Sequence, residues 1–243
     1  MHLALFIALT LLAEILGTLG GFGSSALFVP LCGFFFGFQT VLAFTGILHV
    51  FSNGAKLWLF GKHLNLRIFF WLGIPSLIFS VIGAFLIVGT NSEWSQIVLG
   101  IFLVSGSSLL MLWPNIQMRD KFSNHLLAGS TAGFLAGFTG TGGPVRALAL
   151  SAVGLSKESF IASSAAIDMA VDLPRSLIYL SAGYLDPELY WYIPILACIA
   201  FLGSWLGKLL LDRVTSRFFR SLVLFLVFAI GSMMIIKTIF YDA

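Results

Sequence analysis

Charge is the scarcest property of this sequence. Lys, Arg, Asp and Glu together supply 9% of its 243 residues, where an ordinary soluble domain carries about 25%. That scarcity excludes a water-soluble globular surface. The net charge is only +3, and most basic residues lie in short loops, which excludes a nucleic-acid-binding face. Cysteine is almost missing. Cys32 and Cys198 stand alone in apolar surroundings, with no CxxC and no Cys/His cluster. No metal site, redox pair or other cofactor is expected. Long polar tracts are missing as well, so no soluble domain is expected at either end. Met1–Thr10 lacks a basic n-region, and no signal peptide is expected.

What remains is apolar. Hydrophobic residues make up 59% of the chain, and the mean hydropathy is +1.03. Several runs reach the ~20 residues that a bilayer-spanning helix needs. The pattern predicts an all-α, multi-pass integral membrane protein with the lipid bilayer as its surroundings. Leu3–Leu19 is broken at GGFGSS, after which Ala26–Phe38 resumes. Spans follow at Val41–Phe60, Ile68–Val88 and Ile97–Trp113. Pro114–Asn124 is a polar connector. Leu126–Val153 is broken again, and spans follow at Phe160–Ala182, Leu189–Leu211 and Leu222–Phe240. The chain therefore divides into a first repeat at 1–113, a connector at 114–124 and a second repeat at 125–243.

The centre of the pattern is TGTGGPVR, Thr139–Arg146. Gly140, Gly142 and Gly143 break a helix, and Pro144 suits the first turn of the next one. A broken helix at membrane depth leaves N–H groups free and points a partly positive helix start at the gap. Arg146 adds a full charge beside it, which suits an anion. The alternative is a glycine kink between close-packed helices. Sliding the first half by 122 residues sets Gly20 and Gly21 on Gly142 and Gly143, Ser24 on Arg146, and Asn53 on Arg175. Repeats with glycine-interrupted segments at matching places point to a transporter binding site.

Loop charges choose a topology. If both broken segments cross the membrane, the basic loop residues divide five against five. If each is a re-entrant hairpin, Lys62, Arg67, Arg119, Lys121, Lys157, Lys208, Arg213, Arg217 and Arg220 share one side and Lys237 is alone opposite. The positive-inside rule then makes the connector cytoplasmic and both termini external. Each half becomes a hairpin plus three spans, eight helical segments in all, and the halves are inverted repeats.

Ionisable residues at membrane depth are expensive, so they face an interior or a cavity and pair with each other. His49, Asn53 and Lys56 share one helix face, and so do Asp168, Asp172 and Arg175, each set at i, i+4, i+7. Asp172 is expected to pair with Arg175, either as a static salt bridge or as its orienting group. Asp168 lies two turns away from that arginine and is expected to carry a proton if transport is proton-coupled. Glu14 is expected to partner Lys56 or Arg146.

GGFGSSALFVPL in the first half and GFTGTGGPVRALAL in the second resemble the paired glycine motifs of the sulfite exporter TauE/SafE family of membrane permeases. Tyr179, Gly183 and Asp186 after the polar-bearing span are also similar to that family's pattern. The resemblance covers nearly the whole chain. It implies a permease for sulfite or an organosulfonate, working without ATP in the plasma (inner) membrane of a prokaryote. The residues then read as follows. Gly20, Gly21, Gly142 and Gly143 offer backbone N–H groups, Arg146 and Arg175 offer charge, and Ser24 and Asn53 offer neutral hydrogen bonds. His49, Asp168 and Asp172 supply coupling or structural charge. A homo-oligomer is compatible with this reading. An anion channel is the rival within transport. An intramembrane enzyme is the rival outside it, with His49 and Ser24 as its base and nucleophile and no third group visible in the sequence.

Overall fold

A computed structural model describes residues 2–20, 23–88, 90, 92–113, 119–151, 153–210, 224–225, 228–229, 231–232 and 235–236. The regular elements among them are helices, without a strand. They are α1 (His2–Gly20), α2 (Ser25–Cys32), α3 (Phe38–Phe60), α4 (Leu66–Ile87), α5 (Ser92–Leu112), α6 (Phe122–Thr139), α7 (Gly143–Ser151), α8 (Lys157–Ser181) and α9 (Tyr192–Leu210). Most match the spans expected from hydropathy. The segment expected at Ala26–Phe38 is shorter, because α2 stops at Cys32 and a turn runs to Gly37. The last expected span lies largely outside the described residues, as do Gly21, Arg213, Arg217, Arg220 and Lys237.

The molecule is inside out by the standard of soluble proteins. Ile78 and Phe85 on α4 are 52% and 63% exposed, whereas Glu14, Asp172 and Arg175 are 0%, 2% and 1% exposed. In water this would waste apolar burial and add a desolvation penalty. In a bilayer it is the stable arrangement, since the apolar rim contacts lipid and the polar groups satisfy one another inside.

Small residues let the helices approach. Gly129, Gly133 and Gly137 recur every four residues on α6 and lie against the α4 backbone at Leu72, Ser76 and Ser80; a Cβ at any of them would collide with a carbonyl oxygen there. This is the small-xxx-small packing of membrane helices. Ser76 Oγ reinforces it by reaching both the Leu72 carbonyl (2.7 Å) and the Gly129 carbonyl (3.0 Å). A π-helical turn at Phe69–Gly73 precedes Pro75, whose missing N–H and bulky ring disturb the regular ladder at that point.

The same device joins α9 to α1, with Gly203 against Glu14 and Gly207 against Thr18. In both pairs the matched positions increase together, so α4 runs parallel to α6 and α1 runs parallel to α9. The central pair differs. Gly46 of α3 meets Ser176, Asn53 meets Asp172 and Gly54 meets Met169, so α3 and α8 are antiparallel. The connector is tied down by Asp120, which bonds His125 Nε2 at 2.8 Å and Arg67 at 3.4 Å. Those partners hold its carboxyl below the usual carboxylate range, the His125 hydrogen bond most of all.

Candidate functional site

Both helix breaks use a glycine in the left-handed region. Gly23 has φ +78° and Gly140 has φ +84°, values that a side chain strains to adopt. Gly140 also caps α6 by returning its N–H to the Ala136 carbonyl at 3.1 Å. Past each break the chain lies close to the helix it has just left. Ser24 sits against Gly17 and Gly142 against Ala132, so closely that a Cβ on either glycine would collide with backbone. The two breaks touch each other through Ser25 Oγ and Thr141 Oγ1, 3.0 Å apart. Pro144 is the second residue of α7, where its missing N–H is not needed.

Around this junction lie three ion pairs. Lys56 Nζ of α3 is 3.0 Å from Glu14 Oε1 of α1. Arg146 of α7 contacts Asp168 Oδ1 of α8 through NH1. Arg175 NH2 is 2.7 Å from Asp172 Oδ1, one turn away on α8. The three carboxylates and three cations neutralise one another, as burial at this depth requires.

Hydrogen bonds knit the pairs together. Ser24 Oγ donates to Glu14 Oε2 at 2.6 Å and lies 2.9 Å from His49 Nε2. His49 Nδ1 is 3.3 Å from Asp172 Oδ2, which also accepts from Asn53 Nδ2 at 2.9 Å. Arg175 Nε donates to Asp172 Oδ1 at 2.8 Å, and its NH1 donates to the Ala136 carbonyl at 2.7 Å. Tyr179 donates to the Gly137 carbonyl. Thus α8 donates to two carbonyls in the last turn of α6, those of Gly137 and of Ala136, the latter shared with the Gly140 N–H.

A small pocket, half open to the surroundings, adjoins the network, bordered by Thr18, Gly23, Asn53, Lys56, Ser164 and Asp168. Arg146 stands behind this wall. Its Nε donates to Ser164 Oγ at 3.2 Å, and its NH2 lies beside Gly23. The structure therefore gathers Asn53, Asp168 and Arg146 at or beside the pocket, as well as Lys56. It turns Arg175 away, toward Asp172 and α6. Ser24 and His49 are directed into the network, and Gly142 packs on Ala132. Gly20 ends α1, and Gly21 is not described.

Two relations were not visible in the sequence. Asp168, expected without a cation beside it, has Arg146 from the next helix. Ser24 and His49, expected without a third group, have Asp172. Ser24, His49 and Asp172 have the order of a hydrolytic triad. Yet Ser24 is 1% exposed, gives its proton to Glu14 and does not border the pocket. A nucleophile must meet its substrate, and this hydroxyl is enclosed. Thr18 and Ser164 were missed altogether, because a lone hydroxyl in an apolar helix carries no sequence signal until its surroundings are known.

A family model described as "Sulfite exporter TauE/SafE" matches residues 6–234. Over 224 residues the chain is 29% identical to a probable membrane transporter protein of Methanocaldococcus jannaschii, an alignment covering 82% of this chain and 81% of that protein.

Proposed function

The chain belongs to the sulfite exporter TauE/SafE family, and from that premise we propose that this membrane transporter carries a small sulfur oxyanion, sulfite or an organosulfonate, through the pocket beside Lys56, Asn53, Ser164 and Arg146. The observation that carries the proposal is the donor surplus of that wall. Lys56 has three ammonium protons, of which Glu14 and Ser52 take two. Ser164 Oγ accepts from Arg146, which leaves its own proton for a ligand. The Asp168 carboxylate at the wall is already matched by Arg146. A ligand whose polar atoms are all acceptors fits such a wall, and a sulfite or sulfonate headgroup presents three acceptor oxygens. Arg175 acts one layer out, by holding Asp172 and the end of α6. In this reading Asp168, at the pocket wall, carries the coupled proton.

The packing supports two inverted repeats with re-entrant hairpins. Inversion requires equivalent helices to run antiparallel, as α3 and α8 do, whereas parallel repeats would make them run together. It also requires reciprocal partners, and α1 with α9 mirrors α4 with α6. The pocket borders the late part of α3 and the early part of α8, on the side of Lys62, Arg67 and Lys157. The positive-inside rule makes that side cytoplasmic. A cysteine at position 63 is therefore expected to resist an impermeant thiol reagent added outside cells; rapid external labelling would overturn the orientation.

Binding is tested on the purified protein. Sodium sulfite or methanesulfonate should raise the thermal midpoint with the logarithm of its concentration above Kd, by about 2.7 kcal/mol of stability at a hundred times Kd. Sodium chloride at equal ionic strength should not. Equal responses to chloride and sulfite would remove the proposed selectivity.

A further inference from the structure

Among the described residues the buried threonines inside helices follow a rule with one exception, while Thr141, between two helices, pairs with Ser25 instead. Thr10, Thr45 and Thr139 each donate their hydroxyl to the carbonyl four residues back, at 2.6 to 2.8 Å. That is the ordinary way for a helix to satisfy a threonine away from water. Thr18, in the last turn of α1, is 3% exposed and its Oγ1 has no partner. Its methyl group faces Gly207 of α9. The side chain borders the pocket together with Gly23, Asn53, Lys56 and Ser164.

A buried hydroxyl without a partner weakens the fold, and the helix carbonyls that satisfy the other threonines do not satisfy this one. We propose that Thr18 is a substrate-binding residue whose hydroxyl donates to an oxygen of the sulfur oxyanion in the pocket. The inference rests on the transport reading above and adds a ligand contact to it. The donor comes from the first half of the chain, whereas Ser164 and Arg146 come from the second. An anion held by Thr18, Lys56 and Ser164 would therefore touch both halves at once, through α1, α3 and α8. Gly207 has a part in this, since any side chain there would displace Thr18.

Thr18→Val tests the idea, because valine keeps the shape and removes only the hydroxyl. Sulfite and methanesulfonate are titrated separately into purified wild type, Thr18→Val and Thr18→Ser, with thermal midpoints measured without anion. The expected Thr18→Val protein has a midpoint at or above that of wild type and a Kd raised about threefold to tenfold for both anions, the effect of one neutral hydrogen bond. Thr18→Ser should bind like wild type. A Thr18→Val protein that binds both anions as wild type does overturns the role of Thr18 and leaves the transport reading standing. A lowered midpoint with unchanged binding assigns the residue to packing instead. Wild type that binds neither anion overturns the inference together with the reading beneath it.

Discussion

Asp172→Ala is expected to prevent the protein from accumulating in folded form. Asp172 receives Arg175 through two nitrogens, Asn53 through one, and faces His49 as well. Removing it leaves the Arg175 charge 1% exposed, with only neutral groups, the Ala136 carbonyl and Tyr179, beside it among the described partners. Breaking a buried pair from one side costs about 3–5 kcal/mol. The whole stability of a domain is about 5–15 kcal/mol, so the loss is a large share of it. The damage also spreads, because Arg175 holds the end of α6 at its glycine break. Fluorescence-detected size exclusion after detergent extraction reads the outcome. The double variant Asp172→Ala/Arg175→Met should recover part of the folded peak, since it removes the stranded charge. A single Asp172→Ala protein with the thermal midpoint of wild type would refute this account of the network.

Arg146→Gln is expected to leave the protein folded and to weaken sulfite binding about tenfold to a hundredfold. Arg146 acts from behind the wall, by polarising the Ser164 hydroxyl and by neutralising Asp168, and the magnitude is taken as that of one charge-assisted hydrogen bond, ~1.5–3 kcal/mol. Folding survives here, in contrast to Asp172→Ala, because the partner left behind borders the pocket. Asp168 can be hydrated there, or take a proton, whereas Arg175 has no such exit. Glutamine also retains an amide that can reach Ser164. Kd for sulfite, set beside the size-exclusion profile, separates the two kinds of loss. A folded Arg146→Gln protein that binds sulfite normally would place the anion elsewhere.

How much of this could be read from the chain depends on the range of the interaction. Hydropathy gave the helices and glycine gave the breaks, since both act locally. The pairing of Asp172 with Arg175 was legible because it lies within one helical turn. Glu14 could be narrowed to two partners but not one, because each is reached across a helix interface. Gly129, Gly133 and Gly137 recur at a spacing visible in the sequence, but the α4 backbone they pack on is reached only across a helix interface.

The register of the proposed repeat depends on which features are matched. Matching the glycine pairs Gly20–Gly21 and Gly142–Gly143 suggested an offset of 122. Three helix boundaries, 20 with 139, 32 with 151 and 38 with 157, lie 119 apart, while other boundaries of the same helices lie 118 to 121 apart. Under an offset of 119, His49, Asn53 and Lys56 fall on Asp168, Asp172 and Arg175 in turn. Ser24 is then no counterpart of Arg146, and Asn53 is the counterpart of the Asp172 to which it is bonded. The glycine pairs looked alike but do different work. Gly142 makes a close contact with Ala132, while the left-handed turns belong to Gly23 and Gly140.

The most direct test of a sulfur-oxyanion carrier is flux into proteoliposomes made with the purified protein. Labelled sulfite and methanesulfonate are compared with sulfate, nitrate and acetate, with and without an imposed pH gradient. The account predicts that sulfite and methanesulfonate enter faster than the other anions. It also predicts that the pH gradient accelerates them, and that Asp168→Asn abolishes this acceleration while leaving exchange at equal pH intact. Sulfite flux no faster than in protein-free liposomes, or no faster than that of nitrate and acetate, would contradict it.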